Sequence, residues 1–134
     1  AGNPDCHVIL RGGSQPNYDA ASVDAAARLL VANGLPAGLM IDASHANSGK
    51  NPDNQPKVVD DISQQLEAGE HRIVGVMVES HLVAGKQALV AGQPLVSGQS
   101  ITDGCIDWDT SVVVLERLAT AVRARRALRV ERAA

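Results

Sequence analysis

One stretch, "RIVGVMVES" at residues 72–80, constrains the fold more than any other. It is apolar at nearly every position, so it has no polar face to turn to water, and strands of this kind are buried in parallel sheets. Two weaker runs of the same sort precede it, "CHVILR" at 6–11 and "GLMIDAS" at 38–44. Between them lie helical periods. Val23, Ala26, Ala27 and Leu30 fall at i, i+3, i+4 and i+7, which predicts a helix over 19–33 with Asp19 as its cap and Gly34 at its end. Val59, Ile62 and Leu66 predict a second helix over 56–68, with Pro56 at its first position and Gly69 at its stop. The order strand–helix–strand–helix–strand demands right-handed crossovers and parallel pairing, hence an α/β fold.

After Ser80 the pattern stops. Residues 81–108 are rich in glycine and proline and show no clear period, so they read as a long connection that is either functional, as an active-site loop region, or disordered. A last helix is expected over 109–126, its buried face formed by Val114, Leu115, Leu118 and Val122, with Asp109 placed to cap or favour its first turn. The 134 residues suffice for one domain and not for two ordinary ones. No apolar run approaches the roughly 18 residues of a membrane span, and the net charge of −3 gives no general footprint for nucleic acid. Arg123, Arg125, Arg126, Arg129 and Arg132 do cluster near the end, and they read as cations complementing the carbonyl end of the last helix. Cys6 and Cys105 fit neither a zinc knuckle nor a disulfide framework and are expected as free thiols of a cytoplasmic protein. The opening "AGNPDCHVIL" lacks the features of a signal peptide, and the strand so close to it suggests the interior of a longer chain.

In parallel α/β architectures ligands gather beyond the carboxyl ends of the strands. Here those ends carry Arg11-Gly12-Gly13, the turn holding His45, and Glu79; Asp103 lies in the irregular segment that crosses the same face. His45, Glu79 and Asp103 form a ligand set suited to Mn²⁺, Fe²⁺, Co²⁺ or Zn²⁺, since one imidazole and two carboxylates are unusual for Ca²⁺. The plainer alternative is a hydrogen-bonded loop histidine and two solvated carboxylates. Arg11 reads either as a fork for phosphate or carboxylate, with glycines letting the ligand approach, or as a surface arginine before a turn. Asp42 is an acid–base group, an organiser of the site or a structural hydrogen-bond acceptor. His7 reads as a core or interface histidine, His71 as solvated, and His81 as a candidate support for the ligands. Cys105 lies near Asp103 but has no partner that would make it a ligand.

"CHVILRGG", "PNYDAASV", "MIDASHANSGK", "GVMVESHLVAGKQ" and "GQSITDGCIDW", in that succession, resemble the carboxyl-terminal third of a type I 3-deoxy-D-arabino-heptulosonate 7-phosphate (DAHP) synthase. The resemblance runs from Gly2 to about Arg126. It implies a (β/α)₈ barrel of which this single partial domain supplies about three of eight βα units. The implied activity is a transferase reaction that opens the shikimate pathway to the aromatic amino acids: phosphoenolpyruvate condenses with erythrose 4-phosphate and phosphate is released. It implies a divalent metal ion held by a cysteine together with the residues matching His45, Glu79 and Asp103. Arg11 then contacts phosphoenolpyruvate, and His45 takes a further part in proton handling. Ala43 stands where the family usually has Phe, which reduces packing beside the metal. Neither Cys6 nor Cys105 occupies the place of the family's cysteine ligand. With three strands in place of eight, the chain is expected to be inactive alone, and to oligomerise or require a complementing amino-terminal segment. A different class of function stands beside this one: a non-catalytic barrel fragment serving assembly or binding of a phosphorylated metabolite.

Overall fold

The computed structural model describes residue 3 and residues 6–131. Strand β1 (Val8–Leu10), helix α1 (Ala20–Ala32), strand β2 (Leu39–Asp42), helix α2 (Gln55–Glu67) and strand β3 (Ile73–Met77) follow in the expected order. All three strands pair in parallel, with β2 between β1 and β3. The register places Leu10 beside Ile41 and Ile41 beside Val76, so these three side chains share a face. That face packs on the helices. Leu39, Ile41, Ala43 and Ile73 meet Val23 and Ala27 of α1 and Val58, Val59, Ile62 and Leu66 of α2. Alternation along a strand sends the neighbours Ile9, Met40, Asp42 and Met77 to the opposite face. Gly75 is small because Met40 lies across it: a Cβ there would sit 2.9 Å from the methionine Cγ.

Asp19 caps α1 as expected, its Oδ1 accepting the Ser22 N–H at 3.0 Å. Pro56 stands in the first turn of α2, which is preceded by a single 3₁₀ turn at Pro52–Asn54. The lower ends of the elements are tied by ions. Arg72 bridges Glu70 and Asp24, and Arg117 of the last helix pairs with Glu67.

Several expectations need correction. Residues 81–108 are not wholly irregular: β4 (Val83–Lys86) and β5 (Gln99–Ser100) make a short parallel pair, and Ser80 bridges Ile106 while Gly85 bridges Cys105. Most of their side chains are exposed, so main-chain pairing left no hydrophobic period to read. The last helix, α3, is longer than expected and runs Trp108–Glu131. Its buried face is Ser111, Val114 and Ala121, with Leu118 and Val122 partly covered, whereas Leu115 is 56% exposed. Asp107 caps this helix, accepting the Thr110 N–H at 2.8 Å, and Asp109 stands in the first turn, the second of the two roles expected for it. Arg123, Arg125 and Arg126 lie before the last turn of α3, whereas Arg129 lies within it. Arg125 reaches back to the carbonyls of Glu70 (3.0 Å) and Ile73 (3.2 Å), and Arg123 reaches Thr120. Arg132 lies outside the described residues. His7 is exposed and so is no core residue; His71 is exposed as expected. Cys6 and Cys105 are both free. Among the described residues no helix is long and apolar enough to cross a membrane.

Candidate metal centre

The carboxyl ends of β1, β2 and β3 open onto one side of the sheet, and the turn after β2 is folded back over them. Two asparagines fix that turn. Asn47, 4% exposed, donates to the carbonyls of Leu10 (3.1 Å) and Asp42 (2.8 Å) and accepts the Asn17 N–H (2.8 Å). Asn17 in turn accepts the Gly12 N–H at 2.7 Å. Gly12 has φ +75°, and a Cβ on it would stand 2.9 Å from Ala46 Cβ and from two atoms of Asn47. Only glycine fits there, and this close approach sets Arg11 beside the histidine turn.

His45 itself takes φ +45°, a left-handed conformation that costs a non-glycine residue about 1–2 kcal/mol. Strain of this kind is retained where the surroundings over-determine it. Asp42 supplies part of that determination. It is 1% exposed, and its Oδ1 accepts the Ser44 N–H at 2.8 Å while Oδ2 sits 2.7 Å from His45 Nδ1. A carboxylate only accepts, so the ring proton belongs on Nδ1 and the Nε2 lone pair is free. Arg11 Nε stands 3.7 Å from the same Oδ2, with its side chain 63% exposed and its charge presented to solvent.

Nε2 of His45 faces Glu79, 3.6 Å from Oε1. Glu79 follows β3, and its main chain is held by Gln55, a fully buried residue at the start of α2. The Gln55 amide accepts the Glu79 N–H at 2.8 Å and donates to the Glu79 carbonyl at 3.0 Å. On the side chain, Ser44 Oγ donates to Glu79 Oε2 at 2.6 Å. Asp103 arrives from the segment after β5 and completes a cup. One donor atom from each of His45, Glu79 and Asp103 lies within 4.8 Å of the others.

One nitrogen and two oxygens are a borderline donor set, matched to first-row divalent ions. With bonds of about 2.1 Å, donors on opposite sides of such an ion stand about 4.2 Å apart; the cup is slightly wider than that and open at the exposed Asp103. The residues therefore fit a cation with modest contraction. Around the cup lies a cavity of about 320 Å³, and Arg11, Lys50 and Lys86 line it together with the three donors. Three cations facing one imidazole and two carboxylates suit a polyanionic ligand held next to a metal.

A model of the DAHP synthetase I family matches residues 1–116. The chain belongs to this family. It is 54% identical over 126 residues to the Phe-sensitive phospho-2-dehydro-3-deoxyheptonate aldolase of Escherichia coli K12, an alignment covering 94% of this chain and 36% of that protein. The phospho-2-dehydro-3-deoxyheptonate aldolase of Corynebacterium glutamicum is 52% identical, with 95% and 36% covered. Among solved structures, the phospho-2-dehydro-3-deoxyheptonate aldolase of Francisella tularensis SCHU S4 superposes with a TM-score of 0.88 at 45% identity, covering 92% of this chain and 36% of that one. The chain thus spans about 36% of the length of these DAHP synthase relatives.

Within this DAHP synthase segment, the structure brings together all four residues singled out in the sequence: His45, Glu79, Asp103 and Arg11. His81 is not among their supports; it is exposed, and its Nδ1 accepts the N–H of its neighbour Leu82 at 2.8 Å. Cys105 is buried, and burial pushes its thiol pKa up, with the Glu79 and Asp103 carboxylates adding to the rise against an opposing hydrogen bond from Ser100. A protonated thiol is a poor ligand. Sequence reading missed Ser44, Gln55, Asn17 and Asn47, which orient the donors, and Lys50 and Lys86, which charge the cavity. The only signal was in "ASHANSGK", where polar residues continue past the histidine with no turn requirement for all of them.

Proposed function

We propose that this chain is the carboxyl-terminal, metal-binding segment of a cytoplasmic DAHP synthase, forming about three of the eight βα units of a (β/α)₈ barrel. The observation that carries the reading is the convergence of His45, Glu79 and Asp103 within 4.8 Å of one another, beside Arg11, at the carboxyl ends of parallel strands. The names of the relatives support the same reaction. In it, the enol carbon of phosphoenolpyruvate bonds to the aldehyde carbon of erythrose 4-phosphate. Water adds to the resulting cationic carbon, and inorganic phosphate leaves.

His45 Nε2 and one carboxylate oxygen each from Glu79 and Asp103 would hold a divalent Mn, Fe, Co or Zn ion. When bound, that ion supplies Lewis acidity for an oxygen of the substrates. Arg11 pairs with phosphoenolpyruvate through its exposed guanidinium, which Asp42 steadies from behind. Lys50 and Lys86 screen the remaining substrate charge. Asp42 keeps the Nδ1 proton on His45, so that this imidazole does not lose its orientation when protons move in the cavity. Among the described residues neither cysteine joins the donor set, which is consistent with the cysteine ligand implied by the resemblance lying outside this segment.

β1 and β3 are both edge strands, and Ile9 is 48% exposed on the face away from the helices. These edges favour pairing with a complementing amino-terminal segment. Without it, the expected result is Mn²⁺ binding but no heptulosonate phosphate; adding the segment should restore product. Equal Mn²⁺ binding by wild type and His45→Ala would overturn the metal reading and leave the chain as an assembly module.

A further inference from the structure

We propose that Ser44 makes Glu79 a one-oxygen ligand and so filters the cations the cup accepts; this rests on the metal reading above. Ser44 is 3% exposed, and its Oγ donates to Glu79 Oε2 at 2.6 Å. The hydroxyl is not free to look elsewhere. The Ser44 N–H is fixed by Asp42 Oδ1 at 2.8 Å, and its carbonyl accepts the Ser48 N–H at 3.1 Å. Glu79 is equally constrained, because Gln55 grips both of its main-chain polar groups. The carboxylate is therefore held at both ends. Oε2 is engaged by the serine, and Oε1 faces His45 Nε2 at 3.6 Å.

A charge-assisted hydrogen bond to Oε2 occupies one lone pair of that oxygen and draws off its charge, which weakens the second contact that a two-oxygen grasp of a metal requires. Ca²⁺ gathers six to eight oxygens at about 2.3–2.6 Å and draws on two-oxygen carboxylates to do so. Smaller first-row ions need fewer donors at shorter distance and lose little when Glu79 offers only one. The Ser44 hydroxyl thus disfavours Ca²⁺ without touching the metal. It is a positioning residue.

The test is competition of Ca²⁺ against Mn²⁺ on the full 134-residue chain, reading free Mn²⁺ by electron paramagnetic resonance. Ser44→Ala should narrow the Mn²⁺/Ca²⁺ preference by about tenfold, the scale seen when a residue supporting a metal ligand is removed. Ser44→Thr, which keeps the hydroxyl, should retain the wild-type ratio. Ser44→Cys, with a weaker donor, should fall between and serves if the alanine variant does not fold. An unchanged ratio in Ser44→Ala, or an equal loss of both ions, overturns the inference, and the metal reading survives if His45→Ala still abolishes binding. No Mn²⁺ binding by the wild type, or none lost in His45→Ala, removes both.

Discussion

Gln55 stands in for a strand beside Glu79. Its side-chain amide takes the Glu79 N–H at 2.8 Å and gives to the Glu79 carbonyl at 3.0 Å, the two bonds a neighbouring strand would make. The ladder between β2 and β3 ends at Asp42 and Met77, so a helix residue carries the pairing on to the position where a donor is needed.

Gln55→Leu should accordingly leave the Glu79 N–H without a partner, while the Glu79 carbonyl keeps the Ile106 N–H at 3.0 Å. A loss of about 2–3 kcal/mol is expected in urea unfolding, together with weaker Mn²⁺ binding as Glu79 loses its fixed position. Unaltered binding with lowered stability would make the amide purely a fold element.

Asp42→Asn places an amide against His45 Nδ1 where a carboxylate now holds the ring proton. Mn²⁺ affinity should fall by about 10- to 100-fold, with the circular dichroism spectrum preserved. Isothermal titration with MnCl₂ measures the change.

Gly12→Ala would drive a Cβ to within 2.9 Å of Asn47 and force a side chain into φ +75°. About 3 kcal/mol of destabilisation is expected from overpacking and backbone strain together. A melting temperature within a degree of wild type would show that the turn over β1 can yield.

Acid should loosen the lower end of the sheet in a defined window. The Arg72 guanidinium beside Glu70 holds its carboxyl pKa down from 4.5 to about 2. A lowered folded-state value means that the stabilisation is complete above about 4.5 and is lost as pH falls towards 2. Glu70→Gln should flatten the stability–pH curve between those values, measured by thermal melts across the range.

The parallel sheet and its two crossover helices were legible because burial imposes periods: Val59, Ile62 and Leu66 line one stripe, and Leu39 to Ile41 form a run with no exposed face. The four candidate residues were legible because strand ends in such folds collect ligands and because the motifs around them resemble a known family. What stayed hidden works through main-chain geometry. β4 and β5 pair through backbone groups with exposed side chains, and Gln55 acts on a backbone that its helical position does not announce. Leu115 was misplaced because several apolar residues of α3 compete for one narrow buried stripe, and Ser111 takes a place in it that no hydrophobic scale would assign.

The donors of the cup come from successive units of the chain, each joined to the next by a single crossover or loop. Its assembly therefore waits on the parallel pairing of β1, β2 and β3 across their helical crossovers, non-local contacts of the kind that form slowly. The cup is thus a late product of folding, complete only once the sheet has closed up and the segment after β5 has crossed it.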